Sequence, residues 1–187
     1  MAVYTKISKK EINNINKNFN IEKIISFKGI KQGIENTNYL LKSKKKKYIL
    51  TIFEKRVLQK EIPFFMKLMD NLNNSKINCP KPLKTKNHKY LIKLKNKNAC
   101  IVSFLEGKDK KILNTNDCYV IGKTVAQMHV HTKKMKLKRK NSMGIGNLNP
   151  LLKSIKFKSK KFSNLKIFLK NNLKNINKNW PKKLPKG

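Results

Sequence analysis

Two glycines four residues apart, Gly29 and Gly33, lead into the short polar run Asn36-Thr37-Asn38. Glycines let backbone amides approach an oxyanion with no side chain in the way, and short amide and hydroxyl side chains add donors at the same turn. The chemistry this suits is cradling phosphate oxygens. Two glycines alone fit an ordinary hairpin with special turn positions equally well, so the surrounding elements must decide. Other reactive residues offer less. Cys79, Cys100 and Cys118 are odd in number, far apart and without a C-x-x-C pair, so neither a disulfide framework nor a zinc site is expected. His129 and His131 lie two apart and cannot share a helix face as a metal-binding pair would. No metal ligand set is expected.

The elements that would position these residues follow from the apolar spacing. Ser8-Lys9-Lys10-Glu11 has capping-box spacing, and Ile12, Ile15 and Phe19 continue a short helix. Strand character follows at about Ile24 to Ile30, Asn38 to Lys42 and Lys47 to Phe53, with connections of hairpin length. From Gln59 to Asn73, Phe64, Phe65, Leu68, Met69 and Leu72 recur at helical spacing, with Pro63 tolerable in the first turn. Two more strands are expected at Tyr90 to Leu94 and Ala99 to Phe104, ending at Glu106-Gly107. Beyond that point the character is helical. Val120, Ile121, Val125, Met128 and His129 mark one helix; Leu165, Leu169, Leu173, Ile176 and Trp180 mark another, with a loop expected from Met143 to Pro150. The fold class expected is α+β, an antiparallel five-stranded lobe with one helix (residues 1–106) followed by the beginning of a helical lobe (residues 107–187).

Composition bounds the partners. The chain has 187 residues, 46 Lys+Arg against 9 Asp+Glu, and a net charge of +37. Such basicity points first to nucleic acid or an anionic membrane. Only Arg56 and Arg139 are arginines, however, and the lysines are spread along the chain among many asparagines. Base-reading proteins lean on arginine's bidentate fork, so a compositional bias accounts for the charge better than a nucleic-acid surface. The runs Lys44 to Lys47 and Lys133 to Lys140 read as solvated. No apolar stretch reaches the roughly 18 residues of a membrane span. A cytoplasmic setting and no membrane partner are expected.

The residue strings narrow the function. Gly29-Ile30 with Gly33-Ile34-Glu35-Asn36-Thr37-Asn38-Tyr39-Leu40-Leu41, then Tyr48-Ile49-Leu50-Thr51-Ile52-Phe53-Glu54-Lys55-Arg56, resemble homoserine kinases of the aminoglycoside-phosphotransferase-like, protein-kinase-like family. So do Pro63-Phe64-Phe65, Leu68-Met69 and Cys79-Pro80-Lys81-Pro82. The opening Met1-Ala2-Val3-Tyr4-Thr5 and the closing Trp180-Pro181, Leu184-Pro185 and Gly187 carry the resemblance over nearly the whole chain.

The resemblance implies ATP and Mg2+ as cofactors and L-homoserine as acceptor, yielding O-phospho-L-homoserine for threonine synthesis. It places Gly29, Gly33, Asn36, Thr37 and Asn38 over the phosphates and backbone groups around Ser103 and Leu105 against adenine. Many relatives carry a cation on the third strand where Thr51 stands here, which makes Lys55 and Arg56 the candidate phosphate-contacting cations and Glu61 their candidate carboxylate partner. It makes His129 a packed structural histidine in the first long helix of the large lobe. Relatives continue into a His-x-Asp-x-x-x-x-Asn loop and an Ile-Asp-Phe strand, and neither pattern occurs in these 187 residues. The catalytic residues and magnesium ligands are therefore expected beyond Gly187, leaving this chain inactive alone. Two alternatives stay open: another hydroxyl acceptor, such as choline, a methylthio-sugar or an aminoglycoside, or a basic nucleic-acid-binding module.

Overall fold

The computed structural model describes residues 3–55, 57–140, 144–155 and 162–179. Its elements are α1 (Lys9–Asn18), β1 (Ser26–Gly29), β2 (Thr37–Lys42), β3 (Lys47–Ile52), a 3-10 turn (Gln59–Glu61) leading into α2 (Ile62–Asn74), β4 (Ile92–Leu94), β5 (Lys97–Ser103), α3 (Thr115–Lys133), α4 (Ile145–Ser154) and α5 (Ser163–Asn179). By compactness the chain divides into Met1–Leu137 and Lys138–Gly187. Each unit is described by itself.

In the first unit the strands form one antiparallel sheet in the order β1-β2-β3-β5-β4. Strand alternation sends residues to two faces. On one face Tyr39, Leu50 and Ile101 stand opposite one another across β2, β3 and β5. With Leu41, Tyr48, Ile52 and Ala99 they bury against Ile12 and Ile15 of α1 and Phe19 just after it. On the other face Cys100 and Val102 meet Ile62 and Met66 of α2, with Phe53 closing the cluster. The sheet is thus sandwiched between two amphipathic helices, and each helix has a local reason to start where it does. Ser8 and Glu11 form the expected capping box, the Ser8 amide donating to the Glu11 carboxylate at 2.7 Å. Pro63 falls in the first turn of α2, where its missing N–H costs no helical bond. The β4–β5 connection is a two-residue turn at Lys95 and Asn96, with φ of 47° and 62°, the conformation that matches the sheet's right-handed twist.

The first long helix beyond the sheet, α3, begins in a second capping box between Asn114 and Asp117. It contains no buried residue, so His129 is exposed rather than packed as expected. The spacing of its apolar residues showed a helix, but spacing carries no information about what covers the stripe. In the second unit α4 packs on α5, with Leu152 buried. Here the structure overturns the loop expected from Met143 to Pro150: residues from Ile145 onward are helical, with Pro150 inside the helix. The Gly, Asn and Pro residues suggested a loop, yet Leu148, Leu151 and Leu152 keep helical spacing and burial of Leu152 favours the helix over the local preference. Trp180 and the residues after it lie outside the described residues, as do Met1, Ala2 and Arg56.

Candidate functional site

The α2 face of the sheet is only partly covered. Helix α2 lies over Phe53, Cys100 and Val102, while Leu40 on β2 and Thr51 on β3 stay half-buried and Ser26 and Lys28 on β1 exposed. Lys28, Leu40, Ile49 and Val102 form one cross-strand row on this face. A flat ring could lie on its apolar part. At one end of the strands is the 30–36 connection between β1 and β2. At the other is the exit of β5, because Ser103 pairs with Tyr48 at the start of β3 whereas Ala99 pairs with Ile52 at its end. Four strand residues separate those positions, about 13 Å at the usual rise.

Within the 30–36 connection, Gly33 has φ of 102°, a backbone conformation reserved for glycine, and its missing Cβ leaves open space. Gly29 has a different reason. A Cβ there would come within 2.9 Å of Val3 Cγ2, so close packing of the amino-terminal segment on the α1 face accounts for the absent side chain. The polar trio is engaged inside the protein. Asn36 Oδ1 accepts from the Glu54 amide at 3.3 Å. Thr37, fully buried, accepts from the Tyr4 and Thr5 amides at 3.0 and 3.1 Å and donates to Glu54 Oε1 at 2.8 Å. Asn38 accepts from the Thr51 hydroxyl at 2.8 Å, so Thr51 makes a neutral cross-strand bond.

At the β5 exit, Ser103 exchanges hydrogen bonds with Lys81, its amide donating to the Lys81 carbonyl and its hydroxyl accepting from the Lys81 amide, both at 2.9 Å. The Phe104 amide donates to the Lys47 carbonyl at 3.3 Å. Leu105 is exposed, and its backbone makes no bond to another described residue. Lys47 also pairs with Glu106 at 2.7 Å and lies 5.3 Å from the centre of the Phe104 ring. Lys55 is exposed after β3; Arg56 lies outside the described residues. Glu61 ends the 3-10 turn at the start of α2.

Reading the sequence did not single out Glu54. Its side chain is 10% exposed and meets Lys97 in an ion pair, the Thr5 hydroxyl at 2.6 Å and the Thr37 hydroxyl. Burial alone would push this carboxyl up; hydrogen bonds from Lys97, Thr5 and Thr37 and the nearby Lys97 charge outweigh it and hold the group below the usual glutamate range. Beside it a shallow pocket of about 370 Å³ is lined by Tyr4, Ile34, Glu35, Glu54, Lys55 and Lys97. The only signal in the sequence was the acidic letter two residues after β3, and its partners lie up to 49 residues away.

Thiolate chemistry is disfavoured at two of the three cysteines. Burial pushes the Cys100 thiol up to about 12, and Cys79 is also raised by burial. Among the described residues no group of three or more His, Cys, Asp or Glu side chains is placed to hold a metal ion, and no helix is long and apolar enough to cross a membrane.

Comparison with known proteins agrees with this layout. A homoserine kinase of Paramagnetospirillum magneticum is 36% identical over the full chain, which spans 58% of that relative. One from Parvibaculum lavamentivorans is 35% identical, with 59% of its length covered. Among solved structures, an amicoumacin kinase in complex with AMP-PNP and Ca2+ superposes with a TM-score of 0.66 at 14% identity, covering 92% of this chain and 54% of that one. A spectinomycin phosphotransferase in complex with ADP and spectinomycin gives 0.59 at 16% identity, covering 93% and 56%. These structural likenesses establish the protein-kinase-like α+β fold. A family model described as the phosphotransferase enzyme family matches residues 26–145, well over half the chain, and the protein belongs to that family.

Proposed function

We propose that this chain is the nucleotide-binding part of an ATP-dependent homoserine kinase. Residues 1–106 would be the small lobe and residues 107–187 the start of a helical large lobe. The acceptor rests on one observation: identity above a third, over the entire chain, to relatives that are homoserine kinases. The geometry supports the nucleotide. Adenine would lie on the half-buried Leu40 and Ile49 of the cross-strand row with its polar edge toward the open backbone of Leu105. Ser103 and Phe104 already use their amides within the protein, which leaves Leu105 as the contact. The phosphates would then run toward the 30–36 connection, where Gly33 leaves room for close approach and Lys55 is the described candidate cation.

In the reaction, the acceptor hydroxyl oxygen bonds to the γ-phosphorus, the bond from that phosphorus to the β–γ bridging oxygen breaks, and the hydroxyl proton is released. ADP and O-phospho-L-homoserine result. The described residues supply nucleotide binding and orientation. A divalent ion, taken to be Mg2+, would neutralise phosphate charge; the described residues offer no cluster for it, so this reading assigns its ligands, and the group that orients the hydroxyl, outside them.

The test is transfer of labelled γ-phosphate from ATP by the full-length protein to L-homoserine, choline, a methylthio-sugar and an aminoglycoside. Transfer to L-homoserine with high preference is expected. Transfer to another acceptor alone would retain the kinase and remove the homoserine assignment.

A further inference from the structure

The amino-terminal segment touches the 30–36 connection at its entrance, at its tip and at its exit. At the entrance, Val3 packs over Gly29 so closely that no side chain fits there. At the tip, the Tyr4 hydroxyl donates to the Ile34 carbonyl at 3.1 Å. At the exit, the Tyr4 and Thr5 amides both donate to Thr37 Oγ1. The segment is itself fastened to the sheet. Tyr39, buried on β2, donates its hydroxyl to the Thr5 carbonyl at 3.0 Å and accepts from the Ile7 amide at 3.2 Å. Glu54 closes the arrangement: one oxygen receives the Thr5 and Thr37 hydroxyls, the other receives Lys97, and its amide donates to Asn36. Lys97 Nζ also donates to Thr5 Oγ1 at 2.7 Å.

Thr37 and Tyr39 are buried and Glu54 nearly so, and removing one of their partners leaves the others poorly solvated; the Tyr4 hydroxyl bond to Ile34 lies at the surface. The connection's own bonds lie at its ends, where the Ile30 amide donates to the Asn38 carbonyl at 2.8 Å and Asn36 accepts from the Glu54 amide. It carries exposed Lys31 and Gln32, Gly33 in a glycine-only conformation, and Ile34 at 74% exposure. Between those ends its contact comes from the segment laid across it, at Ile34.

We propose that Val3–Ile7, with Tyr4 and Thr37 as the positioning residues and the Glu54–Lys97 pair as the anchor, holds the 30–36 connection in the conformation that receives a nucleoside triphosphate. This rests on the nucleotide reading above, and it assigns to the amino-terminal segment control over the phosphate end of the site and not the adenine end.

Two variants of the 187-residue chain test it: Tyr4→Phe, which deletes one hydroxyl, and Thr37→Val, which deletes the shared oxygen at nearly constant shape. Tryptic cleavage after Lys31 reports the connection directly. It should accelerate roughly two- to ten-fold in Tyr4→Phe, the range one hydrogen bond supports, and more in Thr37→Val. AMP-PNP affinity should fall by a similar factor while adenosine affinity stays unchanged; a merely structural role would weaken both or neither. Unchanged Lys31 cleavage in Tyr4→Phe at an unchanged thermal midpoint overturns the proposal, as does equal loss of adenosine and AMP-PNP binding. If the wild-type chain binds neither ligand, the nucleotide reading fails, and with it the assigned role; the Lys31 cleavage rates then decide separately whether the segment restrains the connection.

Discussion

Glu54 and Lys97 show how a residue acquires importance that its local sequence does not announce. Lys97 is 37% exposed, so the pair is neither fully buried nor freely solvated. Lys97→Met should lower stability by about 1–2 kcal/mol, because Glu54 loses its charged partner but keeps two hydroxyl donors. A fall in thermal midpoint of a few degrees checks this. The acid side gives a second measurement. The folded Glu54 carboxyl lies below its ordinary range, so the stability it contributes is complete above that range and lost as pH falls through the depressed value. The stability difference between wild type and Glu54→Gln should therefore narrow as pH falls through and below the ordinary glutamate range. Gly29 allows a sharper test. Gly29→Ala should cost about 1–3 kcal/mol through overpacking against Val3, and Val3→Ala in the same chain should recover part of that loss, a coupling a double-mutant cycle measures. The glycine itself was conspicuous in the sequence. Its packing partner, 26 residues earlier, was not.

At the scale of elements, the amphipathic pieces were the legible ones. The capping box at Ser8 and Glu11, the apolar stripe of α2 and the alternation in β2 and β3 each encode an element within a few consecutive residues, and each forms close to where the spacing puts it. Met66→Ala should destabilise by about 2–5 kcal/mol, since its side chain fills the α2–sheet cluster and is almost fully buried; chemical denaturation reads this out. The β4–β5 turn offers the opposite sign. Lys95 holds φ of 47°, which a side chain adopts at a cost, so Lys95→Gly should leave stability unchanged or raise it by several tenths of a kcal/mol. The illegible element was α4. Its glycine, asparagines and proline argue locally against a helix, and its apolar residues find their reason only in a neighbour, α5.

For the molecule as a whole, a net charge of +37 makes self-repulsion a standing cost, and salt should relieve it. The thermal midpoint should therefore rise between low and physiological ionic strength. Any binding to DNA should collapse steeply over the same range and should not be displaced by adenosine; salt-resistant retention would revive the nucleic-acid reading. The sequence alone determined the order of the strands and of α1, α2, α3 and α5, the family, and the glycines and polar residues around the first hairpin, because propensity, capping and alternation act over neighbouring residues. Only the tertiary structure decided what those residues do. Thr37, Asn36 and Asn38 are held by Glu54, Thr51 and the amino-terminal segment, Leu105 is left with an open backbone where Ser103 is not, and half of one sheet face stays uncovered. Each of those outcomes depends on groups brought together by sheet pairing across tens of residues, and spacing along the chain carries no record of such meetings.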